Sequence, residues 1–141
     1  MPTGRLNGRF EIVEHTADWA IRAIGGDLAE LFRQAALGMS SLLVADLAAV
    51  PTDVERPVEL AADDAESLLV AWLGELAYWA ESEQLVFRRF DLPVVMPTQL
   101  QATVYGGRAA ELQKHIKAVT YHNLAIEETA EGLAATVILD V

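Results

Sequence analysis

The stretch Ile116-Lys117-Ala118-Val119-Thr120-Tyr121-His122 combines a clear strand pattern with four side chains that can take part in chemistry. In an extended segment, side chains alternate between two faces, so Lys117, Val119 and Tyr121 share one face and the other four residues share the opposite one. A strand in a sheet normally buries one face, yet this segment carries an ammonium, a phenol, a hydroxyl and an imidazole group. We therefore predict a central strand in the functional part of the molecule.

Shorter strand patterns occur along the rest of the chain. Pro57 lies in one of them and argues for a sheet edge, because proline cannot donate a backbone hydrogen bond. Gly106-Gly107 is predicted to turn the chain, residues 109–114 to form a short helical turn, and residues 128–132 to form a hairpin turn. The predicted strands cover residues 10–13, 19–24, 54–61, 85–90, 91–96, 100–105, 124–127 and 134–139.

Two helices are predicted from apolar residues that recur three and four positions apart. The first covers residues 27–44, with Asp27 as its N-cap and Glu30 as the capping-box partner. The second follows a similar pair, Asp63 and Glu66, and ends near residue 83.

The second helix carries Trp72 and Trp79 seven residues apart on one face. On a helix, such a pair favours core or interface packing over a ligand platform. Predicted strands clearly outnumber the two predicted helices in this pattern. The expected fold class is α+β, with a mixed, mostly antiparallel β-sheet and two main amphipathic helices packed on it. Because no repeat or linker interrupts residues 1–141, one domain is expected.

Composition excludes several classes of protein. The chain has 141 residues, 52% of them hydrophobic, and no apolar run reaches the roughly 18–20 residues needed to cross a bilayer. Its first nine residues lack the apolar core of a signal peptide. The absence of cysteine excludes disulfides, a thiolate zinc site and a cysteine nucleophile. A cytoplasmic protein is expected.

The formal net charge of −11 opposes nonspecific binding to nucleic-acid phosphates. Residues 84–122 differ, since their net charge is +3. Such a basic segment could face phosphates or an acidic partner, or its side chains could be solvated edge residues. The segment contains Arg88, Arg89, Arg108, Lys114 and Lys117, against Asp91 and Glu111.

Two further stretches carry groups suited to a metal ion. His15 and Asp18 are three residues apart beside a strand junction, and Asp140 precedes Val141 at the end of the sequence. If the last strand is paired, the carboxylates of Asp140 and Val141 lie near each other. Carboxylates with one imidazole suit Ca²⁺, Mg²⁺ or Mn²⁺, and a cation would relieve their mutual repulsion. Spacing alone favours the alternative, in which Asp18 is a turn residue and His15 a hydrogen-bonded junction residue.

Catalytic machinery is not evident in the sequence. There is no Gly-x-Ser-x-Gly elbow, P-loop or dinucleotide-binding fingerprint. Gly25-Gly26 precedes the first helix, but Asp27 at the cap would repel an anion there. Lys117 and His122 could serve as acid and base, yet strand alternation sends them to opposite faces. The residues alone therefore predict a small metal- or partner-binding domain.

Taken together, these stretches resemble the archease family over residues 10–141. Two positions depart from the family pattern: Gly106-Gly107-Arg108 stands where a Gly-Glu pair is usual, and Trp19 stands where a smaller aliphatic residue is common. The matching segments are His15-Thr16-Ala17-Asp18, Leu68-Leu69, Trp72-Leu73, Glu75-Leu76, the stretch from Ile116 to His122, and the closing Leu139-Asp140-Val141.

The resemblance implies a small α+β protein that assists an RtcB-type RNA ligase in tRNA splicing and RNA repair. Such a protein promotes guanylylation and multiple turnover of the ligase and is not itself an enzyme. GTP is then used by the ligase rather than bound by this chain alone, tRNA is reached only through the ligase, and no membrane takes part.

The resemblance also assigns residues. A divalent metal, Ca²⁺ with Mg²⁺ or Mn²⁺ as alternatives, is expected at Asp18, Asp140, the Val141 carboxylate and His15. Lys117 matches the family's functional lysine, and Tyr121 and His122 are expected beside it as residues for partner contact and activation.

Two other functions remain open. One is a chaperone-like binding module for another RNA-processing or RNA-modifying protein, which recovery of a different partner would favour. The other is a metal-dependent hydrolase, which metal-dependent turnover of phosphate esters by the isolated protein would favour.

Overall fold

The computed structural model describes residues 8–14 and 18–141. Two helices are present, α1 (Leu28–Leu43) and α2 (Ala65–Glu83), and a short 3-10 helix covers Leu47–Ala49. Neither long helix is apolar enough over its length to span a membrane. The strands are β1 (Arg9–Glu14), β2 (Asp18–Gly25), β3 (Val54–Ala61), β4 (Leu85–Met96), β5 (Gln99–Arg108), β6 (Ala118–Thr120), β7 (Glu127–Thr129) and β8 (Gly132–Asp140).

The strands form two antiparallel sheets. The first has the order β1-β2-β8-β6, with β7 also paired to β8, and the second has the order β3-β5-β4. The α+β class, the two helices and the edge position of the strand containing Pro57 are confirmed. The expected single mixed sheet is instead divided in two, and every strand pair within the described ranges is antiparallel.

The helices lie between the two sheets. α1 packs against β2 on one side and β4 on the other, while α2 contacts β4 and β6. Each sheet turns one apolar face towards this helical layer, because alternation along a strand sends every second side chain inward. The largest fully buried side chains include Trp72, Phe32 and Phe87. This layer is the hydrophobic core.

Trp72 and Trp79 both serve packing, as their helical spacing predicts. Trp72 is fully buried, donates its indole N–H to the Phe32 carbonyl oxygen at 3.0 Å, and meets the Phe90 ring edge-on at 5.8 Å. Trp79 is half-buried and contacts the Phe87 ring edge-on at 5.6 Å between centroids.

The helix starts follow from local capping. Asp27 accepts a hydrogen bond from the Glu30 amide at 2.9 Å, so the predicted N-cap of α1 is confirmed. The predicted cap of α2 is wrong by one residue, since Asp64 rather than Asp63 accepts from the Ser67 amide at 2.7 Å. Both adjacent aspartates are favoured N-cap residues, and Asp64 is the one whose extended backbone immediately precedes the helix.

Glu66, the other half of the predicted capping pair, makes a different contact. Its carboxylate accepts a hydrogen bond from the Ile126 amide at 3.0 Å. This contact ties the first turn of α2 to the segment that precedes β7.

Gly106-Gly107 does not turn the chain, so that prediction is wrong. Both glycines lie inside β5, where Gly106 pairs with Val54 and Phe87. A Cβ atom on Gly106 would collide with the carbonyl oxygen of Val86 in the adjacent strand. Glycine is needed here because two backbone segments approach each other closely. A glycine pair is also typical of a turn, so the sequence pattern does not distinguish the two cases.

Residues 109–114 are not helical either, because their backbone groups are bonded elsewhere. The Ala109 amide donates to the Gln84 carbonyl oxygen at 2.9 Å, and the Gln113 amide donates to the Leu43 carbonyl oxygen at 2.7 Å.

The two extended segments predicted between residues 85 and 96 are in fact one strand, β4. Its register shifts between Phe87 and Arg89 and again between Asp91 and Val94.

The edge of the first sheet is split into two short strands. Thr120 is opposite Ile138, and Glu127 is opposite Ala134. The two edge residues are seven positions apart in the chain, whereas their partners in β8 are only four positions apart. The three extra residues loop out within residues 121–126. The strand predicted at 116–122 is therefore limited to Ala118–Thr120, and the one predicted at 124–127 is found at Glu127–Thr129.

Candidate functional site

Two carboxylates meet at one end of the first sheet. Asp18 is the first residue of β2 and Asp140 is the last residue of β8, and the antiparallel register places them directly opposite each other. Directly opposite residues of neighbouring strands project to the same face of a sheet. Asp140 is exposed and Asp18 is half-buried. The topology thus brings together two acidic residues that are far apart in sequence.

This arrangement is suited to a hard cation. Like charges directly opposite in a sheet destabilise it, and an ion with oxygen ligands offsets that repulsion. Val141, the residue after Asp140, is half-buried against the core. Among the side chains that the structure describes, no group of three or more from His, Cys, Asp or Glu is placed to hold a metal. His15, the predicted imidazole ligand, lies outside the described residues.

Lys117 adjoins the carboxylate pair through the backbone. Its amide N–H donates to the Asp140 carbonyl oxygen at 2.7 Å, just before β6 begins. The residue directly opposite Asp140 in the register is Ala118, not Lys117. Lys117 precedes it by one position and lines the cleft between α2 and β6. The lysine and the carboxylates therefore occupy adjoining surfaces at this end of the molecule.

Tyr121 and His122 lie beyond the end of β6. The Leu124 amide donates to the Tyr121 carbonyl oxygen at 3.0 Å, and Asn123 adopts a left-handed conformation with φ of 53°. The phenol of Tyr121 is exposed, with 58% of the residue accessible to solvent, and His122 is exposed as well. The predicted alternation of Tyr121 and His122 between strand faces is wrong, because both residues are in a turn.

The basic segment does not form one free patch. Arg88 donates to the Val50 carbonyl oxygen at 2.7 Å, and the Arg89 guanidinium stacks 3.9 Å from the centre of the Tyr105 ring. Lys114 places its ammonium 4.2 Å from the centre of the Trp19 ring, on the core side of the first sheet. Arg88, Arg89 and Lys114 are therefore held by local contacts, rather than forming a shared surface for phosphates or simply being solvated at a sheet edge.

The pairing of Trp19 with Lys114 was missed by sequence reasoning. Trp19 directly follows Asp18 in β2. A cation above an indole face is stabilised by the ring's quadrupole. Trp19 thus provides a local partner for the Lys114 ammonium.

Comparison with known proteins shows which family the chain resembles over most of its length. Residues 10–141 match the model of the Archease protein family (MTH1598/TM1083). A protein named archease from Methanosarcina acetivorans is 36% identical, with 94% of this chain and 96% of that protein covered.

Two solved structures have a similar fold. The solution structure of protein 1598 of Methanobacterium thermoautotrophicum has a TM-score of 0.80 and 34% identity, covering 94% of this chain and 98% of that one. The crystal structure of a Thermotoga maritima protein, described as an archease and possible chaperone, has a TM-score of 0.59 and 22% identity, covering 93% of this chain and 96% of that one. The family match over residues 10–141 and the 36% identity to a named archease show that the chain belongs to the archease family.

Proposed function

We propose that this protein is a non-catalytic cofactor of an RtcB-type RNA ligase, which it activates in tRNA splicing and RNA repair by promoting guanylylation and multiple turnover. The observation that carries the proposal is the pairing of Asp18 with Asp140 at an exposed sheet end of an archease-family chain. Lys117 is joined to that pair by a backbone hydrogen bond.

A divalent metal fits this donor set. Carboxylate oxygens are ligands of Ca²⁺, with Mg²⁺ and Mn²⁺ as alternatives. Asp18, Asp140 and the Val141 carboxylate would hold the ion, with His15 alongside. When bound, the ion supplies positive charge at the contact with the ligase, where phosphates of the nucleotide must be oriented.

The protein's own residues then provide docking and position. Lys117, Tyr121 and His122 are all exposed, so they can contact the ligase. Lys117 is next to the carboxylate end, whereas Tyr121 and His122 lie beyond the other end of β6. A net charge of −11 suits a basic RNA-handling enzyme rather than RNA itself. In this proposal the ligase alone uses GTP and holds tRNA, and the two proteins meet in the cytoplasm.

The test is RNA joining by the host's RtcB-type ligase with substrate in excess, with and without this protein. We expect multiple turnovers only on its addition, and we expect Asp140→Ala to abolish them. Asp91→Ala, an exposed aspartate on the second sheet, is the matched control and should activate normally. Full activation by Asp140→Ala would show that the carboxylate pair is not required.

A chaperone-like module for another RNA-processing protein is the second candidate. The large exposed side chains Tyr78 and Tyr121 favour it, since exposed aromatic residues are typical of protein contact surfaces. If the ligase neither binds nor responds while a different RNA-processing protein is recovered, this function replaces the first.

A further inference from the structure

Gly74 is in the middle of α2 and has no packing role within the described chain. A glycine in a helix interior lowers helix stability relative to alanine. A Cβ atom built on Gly74 meets nothing within 4 Å, whereas one on Gly38 or Gly106 meets neighbouring atoms at once. Because the fold gives no steric reason for Gly74, the open space above it is the feature to explain.

That space is a groove between α2 and the strand β6. Its volume is about 260 Å³, and Gly74 and Ala77 lie on the helix side. Tyr78 borders it with 64% of the residue exposed, which is unusual for a large aromatic side chain. On the other side the groove is lined by residues 116–119.

The strand side of the groove is a sheet edge. Among the described strands β6 pairs only with β8, so its other edge has no strand partner. An edge of this kind accepts an extended peptide as an added strand, and a neighbouring helix then contacts the peptide's side chains. A helix position without a side chain allows a close approach at that point.

The charges in the groove select among peptides. The carboxylate of Glu81 is already bound to His115, with 2.9 Å between Nδ1 and Oε2. The Lys117 ammonium makes no hydrogen bond or ion pair with any of the side chains that the structure describes. An unpaired ammonium beside an apolar floor favours a carboxylate side chain on the incoming peptide.

We propose that this groove receives an extended segment of the partner ligase, which adds a strand to β6. The segment places an apolar side chain over Gly74, against Tyr78, and a carboxylate side chain at Lys117. This inference rests on the proposed function and deepens it by separating a docking surface, the groove, from the activating end that carries Asp18 and Asp140.

The first experiment fills the groove. Gly74→Gln adds a helix-favouring side chain in open space, so the variant should fold and unfold at or above the wild-type temperature. We expect the concentration that half-activates the ligase to rise about tenfold, while saturating protein still restores full turnover. Ser82→Gln, an exposed position of the same helix outside the groove lining, is the control and should leave that concentration unchanged.

A second measurement locates the contact directly. Because the chain has no cysteine, Tyr78→Cys gives a single site for a photoreactive label. Label in the groove should cross-link to the ligase, whereas label at Gln101→Cys, exposed on the second sheet, should not.

Three results would overturn the inference, and they can be told apart. If the wild type activates but Gly74→Gln is equally potent and Tyr78→Cys gives no cross-link, the groove is not the docking surface and the activator function stands. If the wild type neither binds nor activates the ligase, both proposals fail. If Gly74→Gln instead abolishes self-association in sedimentation, the occupant is a second copy of this chain.

Discussion

Asp140 faces Asp18 across two neighbouring strands, so the end of the first sheet carries two negative charges on one face. Without a cation this contact is repulsive, and removing one charge should stabilise the sheet. We expect Asp140→Asn to raise the free energy of unfolding by about 0.2–1 kcal/mol in chelator. Urea unfolding measures the change.

The same substitution should remove the response to metal. We expect added Ca²⁺ to bind the folded wild type and raise its unfolding temperature, whereas Asp140→Asn should respond weakly or not at all. A variant that is less stable in chelator, yet still stabilised by Ca²⁺, would contradict the metal site at these two residues.

Substitutions of the two tryptophans of α2 form a matched pair that tests how the core is packed. Trp72 is fully buried and hydrogen-bonded, while Trp79 is half-buried and partly covered by Arg56, whose guanidinium carbon lies 5.4 Å from the ring centre. We expect Trp72→Ala to cost about 3–5 kcal/mol of unfolding free energy, because it leaves a cavity between the helices. Trp79→Ala should cost clearly less in the same urea titration, and equal costs would contradict this account of the core.

At the scale of elements, α2 has a carboxylate at each end whose pKa depends on folding. The Ser67 amide donates to Asp64 and lowers the pKa of that carboxyl below its ordinary 3.8. At the other end, the hydrogen bond from Arg56 lowers the pKa of Glu83 below its ordinary 4.5.

A lowered folded-state pKa gives a definite sign to the pH dependence. The stabilisation is complete above the ordinary values and is lost as the pH falls through the lowered ones, because the unfolded chain binds protons first. We expect thermal stability to fall on acidification below pH 4.5. Asp64→Asn keeps a capping oxygen without a titrating charge, so its melting temperature should fall less. An identical fall in the two proteins would exclude Asp64 as a contributor.

The helices could be predicted almost to the residue, while several strands and turns could not. Helical periodicity and caps are local, so residues 27–44 and the region ending at residue 83 carry their own signal. Strand ends depend on what lies opposite. The edge strand stops at Thr120 because the chain loops out before rejoining β8, and no pattern within residues 116–122 shows that.

At the scale of the whole molecule, the helical layer between two sheets explains the location of the candidate site. β2 and β8 are central in the first sheet, and their ends bring Asp18 to Asp140 at a surface. The edge strand β6 adjoins the same end and also borders α2, so the carboxylate end and the groove are adjacent. This geometry is compatible with one partner contacting both.

The sequence by itself determined the α+β class, the two helices, the identity of the acidic residues and the segment that contains Lys117. These features are carried by periodicity, capping and residue type, which are properties of short segments. Only the tertiary structure decided that the strands form two sheets, that Gly106 lies inside a strand, that Asp18 faces Asp140, and that Gly74 opens a groove. The physical reason is that sheet register and surface shape arise from contacts between residues far apart in the chain, and no local pattern specifies them.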